Sequence, residues 1–171
     1  SVGNSTTAPR DLVTLDDVKI TLMALCESVG ARLREQGCTC TTVAVGIRDN
    51  TLVHYDRQAR LPRPSHSTLD IWEAAMSIYQ AHHGGGAPVR SLSVKASGLA
   101  PAEDMEQLSL FPEEQKAQRR AAIDRVVDSI RAKYGFFAIR RAVTLLDPAL
   151  DLDAKGDHII HPIGFLGTLN G

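Results

Sequence analysis

Four groupings of reactive side chains in this 171-residue chain have the spacing of chemical sites. Asp151-Leu152-Asp153 has the alternation of a metal-binding Asp-x-Asp, the arrangement that holds cations against a transferring phosphate. It falls in a polar, acidic loop (147–157) with no strand to support it, and reads as solvated loop. Cys38-Thr39-Cys40 could offer two thiolates, but zinc needs two further ligands, and the nearest histidines, His54 and His66, lack that spacing. With Cys26 on the apolar side of a helix, the three cysteines read as reduced structural thiols of a cytoplasmic protein. His82-His83, ahead of three glycines, reads as a helix end, and Asp16-Asp17 as a helix start, where the macrodipole favours acids. No nucleophile–base pair, P-loop or dinucleotide fingerprint is present. The chain is read as a binding piece with no catalytic residue and no metal ligand.

The strongest binding signal is Gln107-Leu108-Ser109-Leu110-Phe111. It sits among Glu103, Asp104, Glu106, Glu113 and Glu114, with Pro101 and Pro112 on either side. An extended tether of this kind presents Leu110 and Phe111 as adjacent apolar anchors for a partner's pocket, with Gln107 at the rim. Residues 98–114 are therefore read as a linker carrying a docking peptide.

The remaining elements must position that peptide and whatever else binds. A composition of 43% hydrophobic residues supports a real core, and no apolar run is long enough to span a bilayer. The chain opens on Ser1 in what already reads as structured sequence, as expected of a piece of a longer protein. Residues 1–7 read as a strand. Thr14 and Asp17 form a capping box for a helix with Val18, Leu22, Leu25, Val29 and Leu33 as its stripe, ended by Gly37. Alternation predicts a strand over 41–48, a turn at Asp49-Asn50 and a second strand over 52–61, which Pro62 and Pro64 end. Ser67 and Asp70 cap a second helix to His83, with Ile71, Ala75 and Ile78 facing the core. A strand over 89–96 closes the unit. The order βαββαβ predicts an α+β fold: a four-stranded antiparallel sheet with two helices on one face. A third helix over 113–134, with Ile123, Val126, Val127, Ile130 and Tyr134 at helical spacing, begins a C-terminal helical extension, and the apolar end, 159–169, is expected to pack somewhere. The domains are thus 1–97, the linker 98–114, and the tail 115–171.

The sheet face away from the helices is expected to carry Ser1, Gly3, Ser5, Thr7, Thr42, Ala44, Gly46, Ser91, Ser93 and Lys95, nearly all small. Small side chains let a large ligand approach the backbone, where N–H groups and hydroxyls can bond phosphates. Arg48, Arg57, Arg60, Arg63 and Arg90 on or beside these strands add the electrostatic attraction, although the net charge is only −1. The pattern also fits an ordinary solvated face of an antiparallel sheet. With Tyr55 as the one ring on these strands, stacking on unpaired bases is disfavoured and backbone contact to a duplex is the better version.

Four segments, taken in order, resemble a known family. They are Ser1-Val2-Gly3-Asn4-Ser5-Thr6-Thr7, Ala31-Arg32-Leu33-Arg34-Glu35-Gln36-Gly37, Arg57-Gln58-Ala59-Arg60-Leu61 and Val89-Arg90-Ser91-Leu92-Ser93-Val94. Together they are similar to the little finger domain of Y-family translesion DNA polymerases, the group containing bacterial DNA polymerase IV, over about residues 1–100. The resemblance implies a sheet that grips duplex primer–template backbone through Ser1, Gly3, Ser5, Thr7, Arg57, Arg90, Ser91 and Lys95. The family often has two successive basic residues where this chain has Arg90-Ser91, so one phosphate contact is expected to be weaker or hydroxyl-mediated.

Bacterial members often carry a Gln-Leu-(Ser/Asp)-Leu-Phe peptide after this domain, which binds the sliding clamp. That implies Gln107, Leu108, Leu110 and Phe111 as clamp contacts. The tail resembles, more loosely, an extension of some members around Ile123-Asp124-Arg125 and Ile130-Arg131-Ala132-Lys133-Tyr134-Gly135. The family's metal-binding carboxylates lie upstream of Ser1, which implies no cofactor for this piece, magnesium for the parent polymerase, and the upstream core domains as partners. An alternative expectation is a ligand-sensing or protein-interaction βαββαβ domain with no nucleic-acid role.

Overall fold

The structure, a computed structural model, describes residues 1–102 and 112–151. Four long strands form one antiparallel sheet: β1 (Val2–Leu12), β2 (Cys38–Asp49), β3 (His54–Ser65) and β4 (Val89–Ser97). Their spatial order is β1-β4-β2-β3, and a two-residue strand β5 (Ala100–Pro101) pairs with the start of β2. Helices α1 (Leu15–Glu35) and α2 (Thr68–His83) pack on one face, and a third, α3 (Pro112–Tyr134), follows β5. This is the expected α+β architecture.

Thr14 caps α1 as its sequence predicts: its hydroxyl accepts from the Asp17 N–H, and Asp17 accepts from the Thr14 N–H. The stripe Val18, Leu22, Leu25, Val29, Leu33 is fully buried against Val43, Val45, Ile47, Leu92 and Val94 of the sheet. Burying each such side chain contributes about 1.5–3 kcal/mol.

Some boundaries differ from expectation, and β1 continues past Thr7 to Leu12. Strand β3 runs on through Pro62 and Pro64 to Ser65, because it is an edge strand. A proline there forfeits an outward N–H that no neighbour needs. The Ser67–Asp70 capping box does not form: the Ser67 hydroxyl is buried with no hydrogen-bond partner among the described residues. Asp70 instead accepts from the Ser65 hydroxyl and pairs with Arg120 of α3. The first N–H of α2, on Thr68, donates to Asp124 of α3 at 3.0 Å. A helix start leaves orphan donors and a partial positive charge, and a carboxylate from another helix satisfies both.

Helix α3 docks through its charged side. Asp124 is 2% exposed, whereas Ile123, Val126 and Tyr134 are 46%, 58% and 66% exposed. Arg34 of α1 pairs with Asp128 at 2.5 Å and lies 3.6 Å from Asp124. Arg141 bridges Asp124 at 2.6 Å and Glu27 of α1 at 3.2 Å, and Arg131 reaches Glu27 at 3.1 Å. Among the described residues, Leu150 is the tail's one fully buried side chain within the main core. Asp151, expected as a solvated loop acid, is buried and paired with Arg140 at 2.5 Å; Asp153 lies outside the described residues.

Candidate nucleic-acid interface

The pairing register turns the open face into four rows. Gly3, Lys95, Ala44 and Gln58 lie side by side across β1, β4, β2 and β3. The next row is Ser5, Ser93, Gly46 and Asp56, and the one after is Thr7, Ser91, Arg48 and His54. On the far side of the first row, Ser97, Thr42 and Arg60 line up across β4, β2 and β3. Directly paired residues of an antiparallel ladder share a face, so these side chains all stand away from the helices. Ser1, Gly3, Ser5, Ser93 and Lys95 line a shallow depression there.

The centre of this face is closely filled. A Cβ placed on Gly46 would run into Ser93 Oγ and Asp56 Oδ1, so a larger residue there would push those side chains aside. The hydroxyls of Thr7 and Ser91 bond each other across β1 and β4 at 3.1 Å. The face thus offers hydroxyls beside exposed backbone, with Lys95, Arg60 and Arg48 spread across three strands.

Ser1, Gly3, Ser5, Thr7, Thr42, Arg60, Ser91 and Lys95 are brought together as the sequence reading has them. Arg57 is not among them. It pairs with Val45, whose side chain is in the core, so it leaves β3 on the helix side and its guanidinium lies over Tyr55, 5.1 Å from the ring centroid. Arg90 sits where the register shifts at the start of β4, and pairs with Asp11 at 3.2 Å. Arg63 turns toward the tail and donates to the Glu113 carbonyl at 2.9 Å. Arg48, by contrast, belongs in the same row as Thr7 and Ser91, a position that the alternation from Thr42 through Ala44 and Gly46 makes readable.

The free edge of the sheet beside β1 is closed from above. Arg32 of α1 donates to the Gly3 carbonyl at 2.7 Å, and burial lowers the pKa of this guanidinium. Asn4 donates to Ser28 at 3.0 Å and accepts from the Ser5 N–H at 2.9 Å, which fixes β1 against the helix layer.

Gln107, Leu108, Leu110 and Phe111 lie outside the described residues. On either side of them, the Ala102 N–H donates to the Gly37 carbonyl at 2.8 Å, and Pro112 begins α3. Among the described residues no three His, Cys, Asp or Glu side chains converge as a cation site, and no helix is long and apolar enough to cross a membrane.

Comparison with known proteins agrees with this geometry. Residues 1–110 match the C-terminal domain of the impB/mucB/samB family. DNA polymerase IV of Acetivibrio thermocellus is 36% identical over 151 residues, 88% of this chain and 38% of that protein. DNA polymerase IV of Clostridium acetobutylicum is 36% identical over 144 residues, 84% of this chain and 36% of that protein. The chain therefore spans little more than a third of the curated relatives it matches. Among solved structures, a post-insertion binary complex of Dbh DNA polymerase shares the fold at a TM-score of 0.50 and 12% identity, over 58% of this chain and 29% of that one. On the match across residues 1–110, the chain belongs to the impB/mucB/samB family and carries its C-terminal domain.

Proposed function

We propose that this chain is the duplex-gripping and clamp-docking part of a translesion DNA polymerase that acts in DNA repair. The observation that carries the reading is the four-row open face, where Lys95, Arg60 and Arg48 stand among glycine and hydroxyl side chains on a domain of a polymerase family. Cations on three strands can each meet a phosphate, and the small residues between them admit the backbone of a duplex without reading its bases. Arg90 and Arg57 add charge at the margins.

Gln107, Leu108, Leu110 and Phe111 dock on the sliding clamp in this reading, supported by the motif and its acidic, proline-flanked setting. The chemistry of nucleotide addition belongs to core domains upstream of Ser1, which hold magnesium. Asp151, the first acid of the Asp-x-Asp pattern, is paired with Arg140. The parent protein works in the cytoplasm, on the nucleoid.

Titrating a labelled primer–template duplex at several salt concentrations tests the grip. Affinity should be independent of sequence and fall steeply with salt. Removing one phosphate contact should reduce the salt slope by about one and, near 0.1 M salt, weaken binding roughly tenfold. Lys95→Ala with Arg60→Ala should show two such steps, and Arg57→Ala less than one. Unchanged binding by the double variant would overturn the assignment. Leu110→Ala with Phe111→Ala should abolish clamp binding and leave the duplex titration unaltered.

A further inference from the structure

Asp56 is the one acid in the four rows of the open face. It stands opposite Gly46 on β3, an edge strand with open solvent beside it. Its side chain leans inward all the same: Oδ1 lies over Gly46, where Ser93 Oγ also comes in from β4. The carboxylate stays 64% exposed, and its ion-pair contact is a histidine ring, His54 Nε2 at 4.0 Å. Among the described residues no lysine or arginine pairs with it; the neighbouring Arg57 donates to the Asp56 carbonyl instead. Other acids of the body do have cationic partners, as Asp11 has Arg90 and Asp16 has Lys19.

The pairing register sets how far this charge is from the three cations of the face. With strands about 4.8 Å apart and about 3.3 Å of rise per residue, Asp56 is roughly 8 Å from Arg48 along the sheet. Lys95 and Arg60 are roughly 12 and 13 Å away by the same measure. Those separations are too long for ion pairs but close to the screening length at 0.1 M salt, about 10 Å. The carboxylate thus leaves each cation free to meet an anion while lowering the potential in the space between them. The β1–β4 half of the face carries no acid in its rows, and it holds the depression lined by Ser1, Gly3, Ser5, Ser93 and Lys95.

We infer that Asp56 is a specificity-determining residue of the duplex grip, which keeps phosphate off the middle of β2 and β3. The backbone is thereby confined to the β1–β4 depression and to the outer rows that hold Arg60 and Arg48. The inference rests on the duplex reading and deepens it, because it says where on the face the phosphates run. It also gives the weakness of the grip a source. One repelling charge among three attracting ones holds affinity below what the cations alone would provide, so contacts release and re-form readily as duplex moves past.

Asp56→Asn removes the charge and keeps the shape, and it tests the inference in the full 171-residue chain. Labelled primer–template duplex is titrated at several salt concentrations and one pH, beside the natural chain and Asp16→Asn. The second variant makes the same change in net charge at the start of α1, in the helix layer. Asp56→Asn should tighten binding about two- to fivefold near 0.1 M salt, with the gain fading as added salt shortens the screening length. Asp16→Asn should leave the titration nearly unchanged. Unaltered or weaker binding by Asp56→Asn, or an equal gain in Asp16→Asn, would overturn the proposal. So would a loss confined to cytosine-containing duplexes, since the carboxylate would then be accepting from a base edge. If the natural chain shows no salt-dependent binding at all, the duplex reading itself fails and this inference falls with it.

Discussion

The body of the domain and its tail are held by opposite means. In the body, aliphatic side chains of α1 and α2 meet those of the sheet. In the tail, six charges run in a line from Arg131 through Glu27, Arg141, Asp124 and Arg34 to Asp128, while the apolar side of α3 faces away. Apolar packing tolerates small shifts, because any close contact contributes. An ion-pair chain does not: each buried member costs desolvation that only its partner offsets. The tail is therefore attached in one register, and its attachment is sensitive to single charges in a way the body is not.

Asp124→Ala should break this contrast most sharply. It leaves the Thr68 N–H without its partner and takes one of two carboxylates from each of Arg34 and Arg141, which keep Asp128 and Glu27; removing one partner of a buried pair costs up to about 3–5 kcal/mol. The loss should be confined to the tail and the start of α2, read as faster amide exchange in 65–70 and 112–141 with the sheet still protected. Uniform loss of protection would mean that tail and body unfold as one. Leu25→Ala, in the middle of α1, should cost about 2–5 kcal/mol by chemical denaturation and weaken every element of the body alike. Loss felt only in the tail would refute the division.

The smallest expected effect concerns acid. The Arg10 guanidinium, bidentate to Asp17, with burial opposing and the Thr14 bonds assisting, holds the Asp17 carboxyl well below the usual carboxylate range. A depressed folded pKa contributes stability above the unfolded value, near 4, that is lost as pH falls through the folded value. The stability difference between the natural chain and Asp17→Asn should stay constant down to about pH 4 and shrink only below it. A difference that vanishes between pH 7 and 5 would show that Asp17 is not the group responsible.

Much of the body was legible because its elements obey one period each. The α1 stripe and the Val43-Val45-Ile47 alternation name the two surfaces that meet, and the capping box at Thr14 fixes where the helix starts. What was not legible depends on position in the sheet. Pro62 and Pro64 read as breakers until β3 is known to be an edge strand. The side on which Arg57 leaves depends on its register opposite Val45, which is set across two strands. The tail misled for a different reason. Helical spacing of Ile123, Val126 and Ile130 marks the side a helix usually buries, and nothing local reveals that Arg34 and Glu27, far upstream, present charges for the other side. The missing cap at Ser67 has the same origin, since its substitute comes from Asp124.

That substitute has a thermodynamic consequence. Because Asp124 closes the start of α2, whatever draws α3 away from the body must also leave an open helix end next to the last residues of β3. A ligand competing for the tail would bind with its own affinity reduced by that penalty. Reciprocally, a ligand that stiffens the end of β3 would make the tail harder to detach, so the two regions are linked in binding although they share little apolar surface.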